Sequence, residues 1–88
     1  PEHPELASSL NNLGNAYLDT GAVEEARLRF ARALEILEKA LGPEHPDLAA
    51  MLNNLGIAAM ELRDYPDARA RHERALAIRE KALGPEHR

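Results

Sequence analysis

The chain repeats itself, and that repetition limits its fold more than any other feature. PEHPELASSLNNLG at 1–14 returns as PEHPDLAAMLNNLG at 43–56, and RALEILEKALG at 32–42 returns as RALAIREKALG at 74–84. Laid over each other without gaps, the two copies agree at roughly 24 of 42 positions, and PEHR at 85–88 opens a third. A period of this size is the signature of a stacked array, in which each unit buries its apolar face against the next because it cannot do so alone. The chain therefore divides into a first repeat at 1–42, a second at 43–84 and the start of a truncated third at 85–88. Gly42-Pro43 and Gly84-Pro85 punctuate the junctions, and the missing initiator Met and abrupt end suggest a piece of a longer array.

Apolar spacing inside each unit is helical. Leu6, Leu10, Leu13 and Tyr17 recur at i, i+4, i+7 and i+11, and Leu48, Leu52, Leu55 and Ala59 repeat them, so each set forms one stripe of a first helix, A. Pro4 and Pro46 suit its first turn, where Glu5 or Asp47 faces the positive end of the dipole. Val23, Ala26, Phe30, Ala33, Leu34, Leu37 and Leu41 make the stripe of a second helix, B. Gly21 separates the pair in the first unit. Arg63-Asp64-Tyr65-Pro66 does so in the second, with Asp64 placed to cap helix B. Helix B stops at Gly42 or Gly84, each expected as a left-handed residue beyond the last turn. The predicted helices are 4–20, 23–41, 46–62 and 65–83.

Composition narrows the function. A formal charge of -4, aromatics at 3% and Arg clusters (27/29/32 and 69/71/74) interleaved with acids argue against nucleic acid as a partner. There is no Cys, hence no thiolate metal site and no cysteine nucleophile. No apolar run approaches the roughly 18 residues of a membrane span, and no signal peptide is visible. His3, His45 and His87 recur once per unit beside prolines, too far apart to converge on one metal ion. His72 takes the core slot held by Phe30, and His72-Glu73 lacks the second His of a zincin helix. Ser8 and Ser9 have no elbow glycines or paired base, so no enzyme, cofactor or metal is expected. Glu25/Arg29, Glu35/Lys39 and Asp67/Arg71 at i, i+4 read as solvated helix pairs.

The motif Leu-x-x-Leu-Gly-x-x-Tyr in helix A with Ala-x-x-x-Phe-x-x-Ala in helix B resembles the tetratricopeptide repeat. Leu10, Leu13, Gly14, Tyr17, Ala26, Phe30 and Ala33 fill it in the first unit, and Leu52, Leu55, Gly56, Ala68 and Ala75 fill most of it in the second. Gly14 and Ala26 let the helices approach while Tyr17 and Phe30 fill the space around them. The usual unit is 34 residues with a Pro closing helix B; here Glu38 and Glu80 stand in that place, and the longer unit looks like the kinesin light chain type. The resemblance implies an all-α solenoid of two helix-turn-helix hairpins, a right-handed superhelix without chemistry of its own, acting in the cytoplasm as a scaffold for a protein or peptide ligand.

The same resemblance makes Asn12 and Asn54 groove asparagines that hydrogen-bond a bound peptide's backbone, which an amide does independently of peptide sequence. Asn11, Asn15, Leu18 and Asp19 in the first unit, and Asn53, Ile57, Met60 and Glu61 in the second, are neighbouring candidates. Asn is a mediocre helix former, so these residues need a reason beyond propensity, whether ligand binding, solvation or bonds to a neighbouring helix. Neither helix A carries Lys or Arg, so a peptide carboxylate would meet Asp19 and Glu61, and a neutral or basic ligand is expected. Two units are fewer than arrays generally need. Ala75, Leu76, Ile78 and Leu83 are expected to leave apolar surface where another copy could stack or exchange helices, giving a homo-oligomer. Ala59, His72 and Arg79, at the places of Tyr17, Phe30 and Leu37, suggest a second unit partly adapted to exposure.

Overall fold

The computed structural model describes residues 3–84, so PEHR at 85–88 with its His87, and residues 1–2, lie outside the described residues. Four helices follow in order: α1 (Pro4–Asp19), α2 (Val23–Leu41), α3 (Leu48–Glu61) and α4 (Tyr65–Leu83). They form two antiparallel hairpins, α1 with α2 and α3 with α4, joined where α2 packs on α3. The result is an all-α helical-repeat solenoid. Among the described residues no helix is long and apolar enough to cross a membrane.

The periodicity located α2 and α4 to the residue and α1 to within one. Helix α3 differs, beginning at Leu48 rather than 46 and ending at Glu61. Leu48 and Ala49 donate to the carbonyls of His45 and Pro46, both at 3.0 Å, which tightens the entry into a three-residue turn. The Asp47 N–H goes to His45 Nδ1 at 3.1 Å, and Pro46 and Asp47 form a turn ahead of the helix. Asp47 makes no side-chain cap, whereas Asp64 caps α4 as expected, accepting from the Asp67 N–H at 3.4 Å.

Both hairpin turns are built alike. Gly21 and Ala22 donate to the carbonyls of Leu18 and Tyr17 at 3.1 and 2.8 Å, and Arg63 and Asp64 donate to those of Met60 and Ala59 at 3.0 and 2.8 Å. These paired bonds satisfy the last helical carbonyls and force a positive φ on the first donor. Gly21 takes 86° without cost, and Arg63 takes 64° against its Cβ. Helices α2 and α4 end otherwise than expected. Gly42 is the cap itself, at φ 93° and ψ 163°, and Gly84 matches it at 87° and 159°. That is the extended mirror-image region open essentially to glycine alone, not the left-handed helical one.

Within each hairpin an aromatic ring from helix B lies directly on a glycine of helix A. A Cβ at Gly14 would stand 2.6 Å from Phe30 Cε1, and one at Gly56 would stand 2.5 Å from His72 Nε2. Phe30 is fully buried and His72 half-buried. Around these rings the core gathers Ala26, Ala33, Leu34, Ile36 and Leu37 from α2, Leu48, Met51, Leu52, Leu55 and Ala58 from α3, and Ala7, Ala75 and Ile78.

Identical positions fare differently in the two units. Leu48 and Leu55 are buried at 0% and 1% exposure, yet Leu6 and Leu13, in the same predicted stripe, are each 42% exposed. Helix α3 is sandwiched between α2 and α4, whereas α1 packs chiefly on α2 and meets α3 through Asn11 and Asn54. Leu34 is 5% exposed and its counterpart Leu76 is 58% exposed, because α3 covers α2 and no described helix covers the same face of α4. The expectation that Ala75 and Ile78 share this exposure is corrected: at 1% and 4% they face into their own hairpin, and only Leu76 and Leu83 remain open. Ala59 is likewise fully buried, so the adaptation to exposure rests on His72 and Arg79.

Three substitutions test these contacts. Gly14→Ala drives a methyl into the Phe30 ring and lowers unfolding free energy by about 1–3 kcal/mol in urea titrations, despite the helix propensity of alanine. Gly56→Ala costs less, because the His72 ring can swing toward solvent. Arg63→Gly relieves the positive φ and raises stability by up to about 1 kcal/mol, read in the same titration.

Candidate functional site

Helices α1 and α3 carry the candidate residues at matching register. Asn11, Asn15, Leu18 and Asp19 follow one side of α1, while Asn53, Ile57, Met60 and Glu61 follow the equivalent side of α3. The two helices are tied by a hydrogen bond in which Asn54 Nδ2 donates to Asn11 Oδ1 at 2.7 Å. Asn53 is engaged within its own hairpin, its Oδ1 3.1 Å from His72 Nδ1. Three of the four asparagines of the two LNN blocks are thus explained by packing: Asn11 and Asn54 join the repeats, and Asn53 holds the ring that replaces Phe30. A phenyl ring at 72 would offer Asn53 no such bond.

Asn12 and Asn15 stand apart from this network. Both are exposed, and neither has a hydrogen-bond partner among the described residues. Asp19 and Glu61 are also exposed, at the far ends of their helices. Ile57 and Met60 add apolar surface between them, at 44% and 50% exposure. Burial of that surface by a ligand is favourable at roughly 25 cal/mol per Å².

The positive charge lies on α2 and α4, where it is held by carboxylates. The i, i+4 pairs form as predicted, with Arg29 3.4 Å from Glu25, Arg71 3.2 Å from Asp67 and Lys39 3.9 Å from Glu35. Arg29 also lies over the Tyr17 ring, 5.4 Å from its centroid. Helical spacing could not reveal the pairs between units. Arg27 bridges Asp64 at 2.7 Å and Asp67 at 2.9 Å, and Arg74 reaches Glu38 at 2.6 Å; within the second unit Arg74 also donates to the Pro43 carbonyl at 2.9 Å and Lys81 pairs with Glu44. The carboxylates that hold Arg27, and the one that holds Arg74, belong to the other unit, and only the stacking of the hairpins brings them together. Arg27 is held above its ordinary pKa chiefly by its bonds to Asp64 and then Asp67, and Asp64 is held below the ordinary carboxylate value chiefly by Arg27.

The remaining candidates have local roles. His3 precedes the first turn of α1 without a cap bond, and the ring nitrogen of His45 is taken by the Asp47 N–H. A cleft of about 310 Å³ opens beside Pro43, Glu44, Arg74, Ala77, Ile78 and Lys81, and none of the asparagines lines it.

Paired helices, each pair closed over a glycine and stacked on the next pair, define a helical-repeat scaffold. The family model for the tetratricopeptide repeat matches residues 5–81, and the chain belongs to that family. No curated protein matches it. Such repeats mediate interactions between proteins.

Acid should act on the bridge between repeats. Because its folded pKa is lowered, Asp64 contributes stability that is complete above its unfolded value near 4 and is lost as pH falls through the folded value. Asp64→Asn keeps an equally good helix cap but removes the charge. In urea titrations the variant should be less stable than the parent at neutral pH, and the gap should close as the pH is taken below about 4.

Proposed function

We propose that the face formed by α1 and α3 binds a polypeptide, either an extended segment or a partner helix, and that the chain is a scaffold without catalysis of its own. The observation that carries the reading is the pair of amides Asn12 and Asn15, exposed and without a hydrogen-bond partner among the described residues, on the helix that Asn11 ties to Asn54. Asn12 offers a donor and an acceptor to a peptide unit, and Asn54 has an acceptor oxygen left after donating to Asn11. Ile57 and Met60 supply apolar contact, and Asp19 with Glu61 favours a neutral or basic ligand. A 42-residue unit with LNNLG in helix A supports the kinesin light chain type within the family, and with it a cytoplasmic setting.

Peptides selected from a display library against the native chain are the test. Two lost amide bonds of about 1 kcal/mol each should weaken their binding roughly 30-fold in the Asn12→Ala/Asn54→Ala variant, with helical circular dichroism preserved. Retained affinity in a folded variant refutes the assignment of these asparagines. Asp19→Asn with Glu61→Gln should remove most of the salt dependence of binding by basic peptides.

A further inference from the structure

From the unlike surfaces of α1 and α3, and resting on the polypeptide binding proposed for their shared face, we infer that the ligand is an extended segment of alternating basic and apolar side chains. The basic ones lie over α1 and the apolar ones over α3. Asn54 reaches Asn11 across the two helices, so residues one repeat apart stand at matching places on either side of one seam. At three of those places the second unit offers apolar surface that the first does not. Exposed Ser8 corresponds to exposed Ala50, exposed Asn15 to Ile57 at 44% exposure, and Leu18, packed against the core, to Met60 at 50%.

Charge divides the same way. Asp19 is exposed and has no cation paired to it among the described residues, and the turn beyond it holds Gly21. Glu61 has the exposed Arg63 two residues on, in the equivalent turn. No basic residue in the last turn of α1 offsets the negative end of its dipole. The uncompensated negative charge therefore lies on the α1 side, opposite the apolar one. Conformation follows from the amides. A helix uses its backbone N–H and C=O groups internally, whereas an extended chain offers them at every residue to Asn12 and Asn15, which have no partner among the described residues. An extended chain also sends successive side chains to opposite sides, so one segment laid along the seam reaches both surfaces at once. From Ser8 to Asp19 the helix rises about 17 Å, which about five extended residues span.

Calorimetric titration of the native chain with capped hexapeptides tests this. One peptide alternates Lys and Leu, and the other carries the same residues in two blocks. The alternating peptide should bind roughly tenfold more tightly than the blocked one. Ile57→Asn, which copies the residue at the equivalent place of α1, should weaken the alternating peptide roughly tenfold. Asp19→Asn should weaken it too, while leaving a peptide of alternating Gln and Leu unaffected. Both positions are exposed, and circular dichroism checks that each variant keeps its helices. No binding of the alternating peptide, equal affinity for the two hexapeptides, or undiminished affinity in either variant overturns the sided arrangement. Tighter binding of a longer Lys-Leu peptide with helical spacing than of an alternating one of the same length overturns the extended ligand. Where display-selected peptides still bind the native chain, those results leave polypeptide binding standing; where none bind, both readings fall.

Discussion

Everything in this fold depends on how closely helix A can approach helix B, and that distance is set by a ring lying on a glycine. Phe30 sits where any side chain on residue 14 would be, and His72 does the same over residue 56. With the helices this near, alanines at 7, 26, 33 and 58 suffice to fill the space between them, and the larger leucines are left to hold one hairpin to the next. The second unit keeps the geometry while giving up the phenyl ring. Its imidazole is half-buried and requires a polar partner, which Asn53 supplies from the facing helix.

Stacking makes equivalent residues unequal. The two units share most of their sequence, yet their leucines range from fully buried to more than half exposed according to whether another helix lies beside them. Helix α3, with a neighbour on either side, is buried on most of its surface, and α1 and α4 each keep one face open. In a solenoid the nearest-neighbour contact is the unit of stability, so the burial of a position follows the helices that lie beside it.

Charge is sorted by layer. The A helices carry acids and amides without a single Lys or Arg, and the B helices carry the arginines, most of them held by carboxylates along the helix or across the junction. Asp64 joins these roles, since it caps α4 and anchors Arg27 from the unit before. Partly exposed pairs of this kind contribute modestly each. Their arrangement leaves the α1 and α3 face free of cations, with the exposed Asn12 and Asn15 and the apolar Ile57 and Met60 on those helices.

The repeat, the four helices, the glycine contacts and the Asp64 cap were legible in the sequence, because period, capping and the alternation of small and large residues are local properties. The start of α3 was not, because the period does not say whether the first bonds of a helix span three residues, as those of Leu48 and Ala49 do, or four. Periodicity marked Leu6, Leu13, Leu48 and Leu55 as one kind of position and could not say which would be covered, since burial depends on the neighbour and not on the stripe. Nor could it separate the asparagines into those that join helices and those that face solvent. Sequence by itself determined a chain of helix pairs with one apolar interface written twice. Only the tertiary structure decided which copy of that interface is closed, and which amides and carboxylates it brings together across residues far apart in the chain.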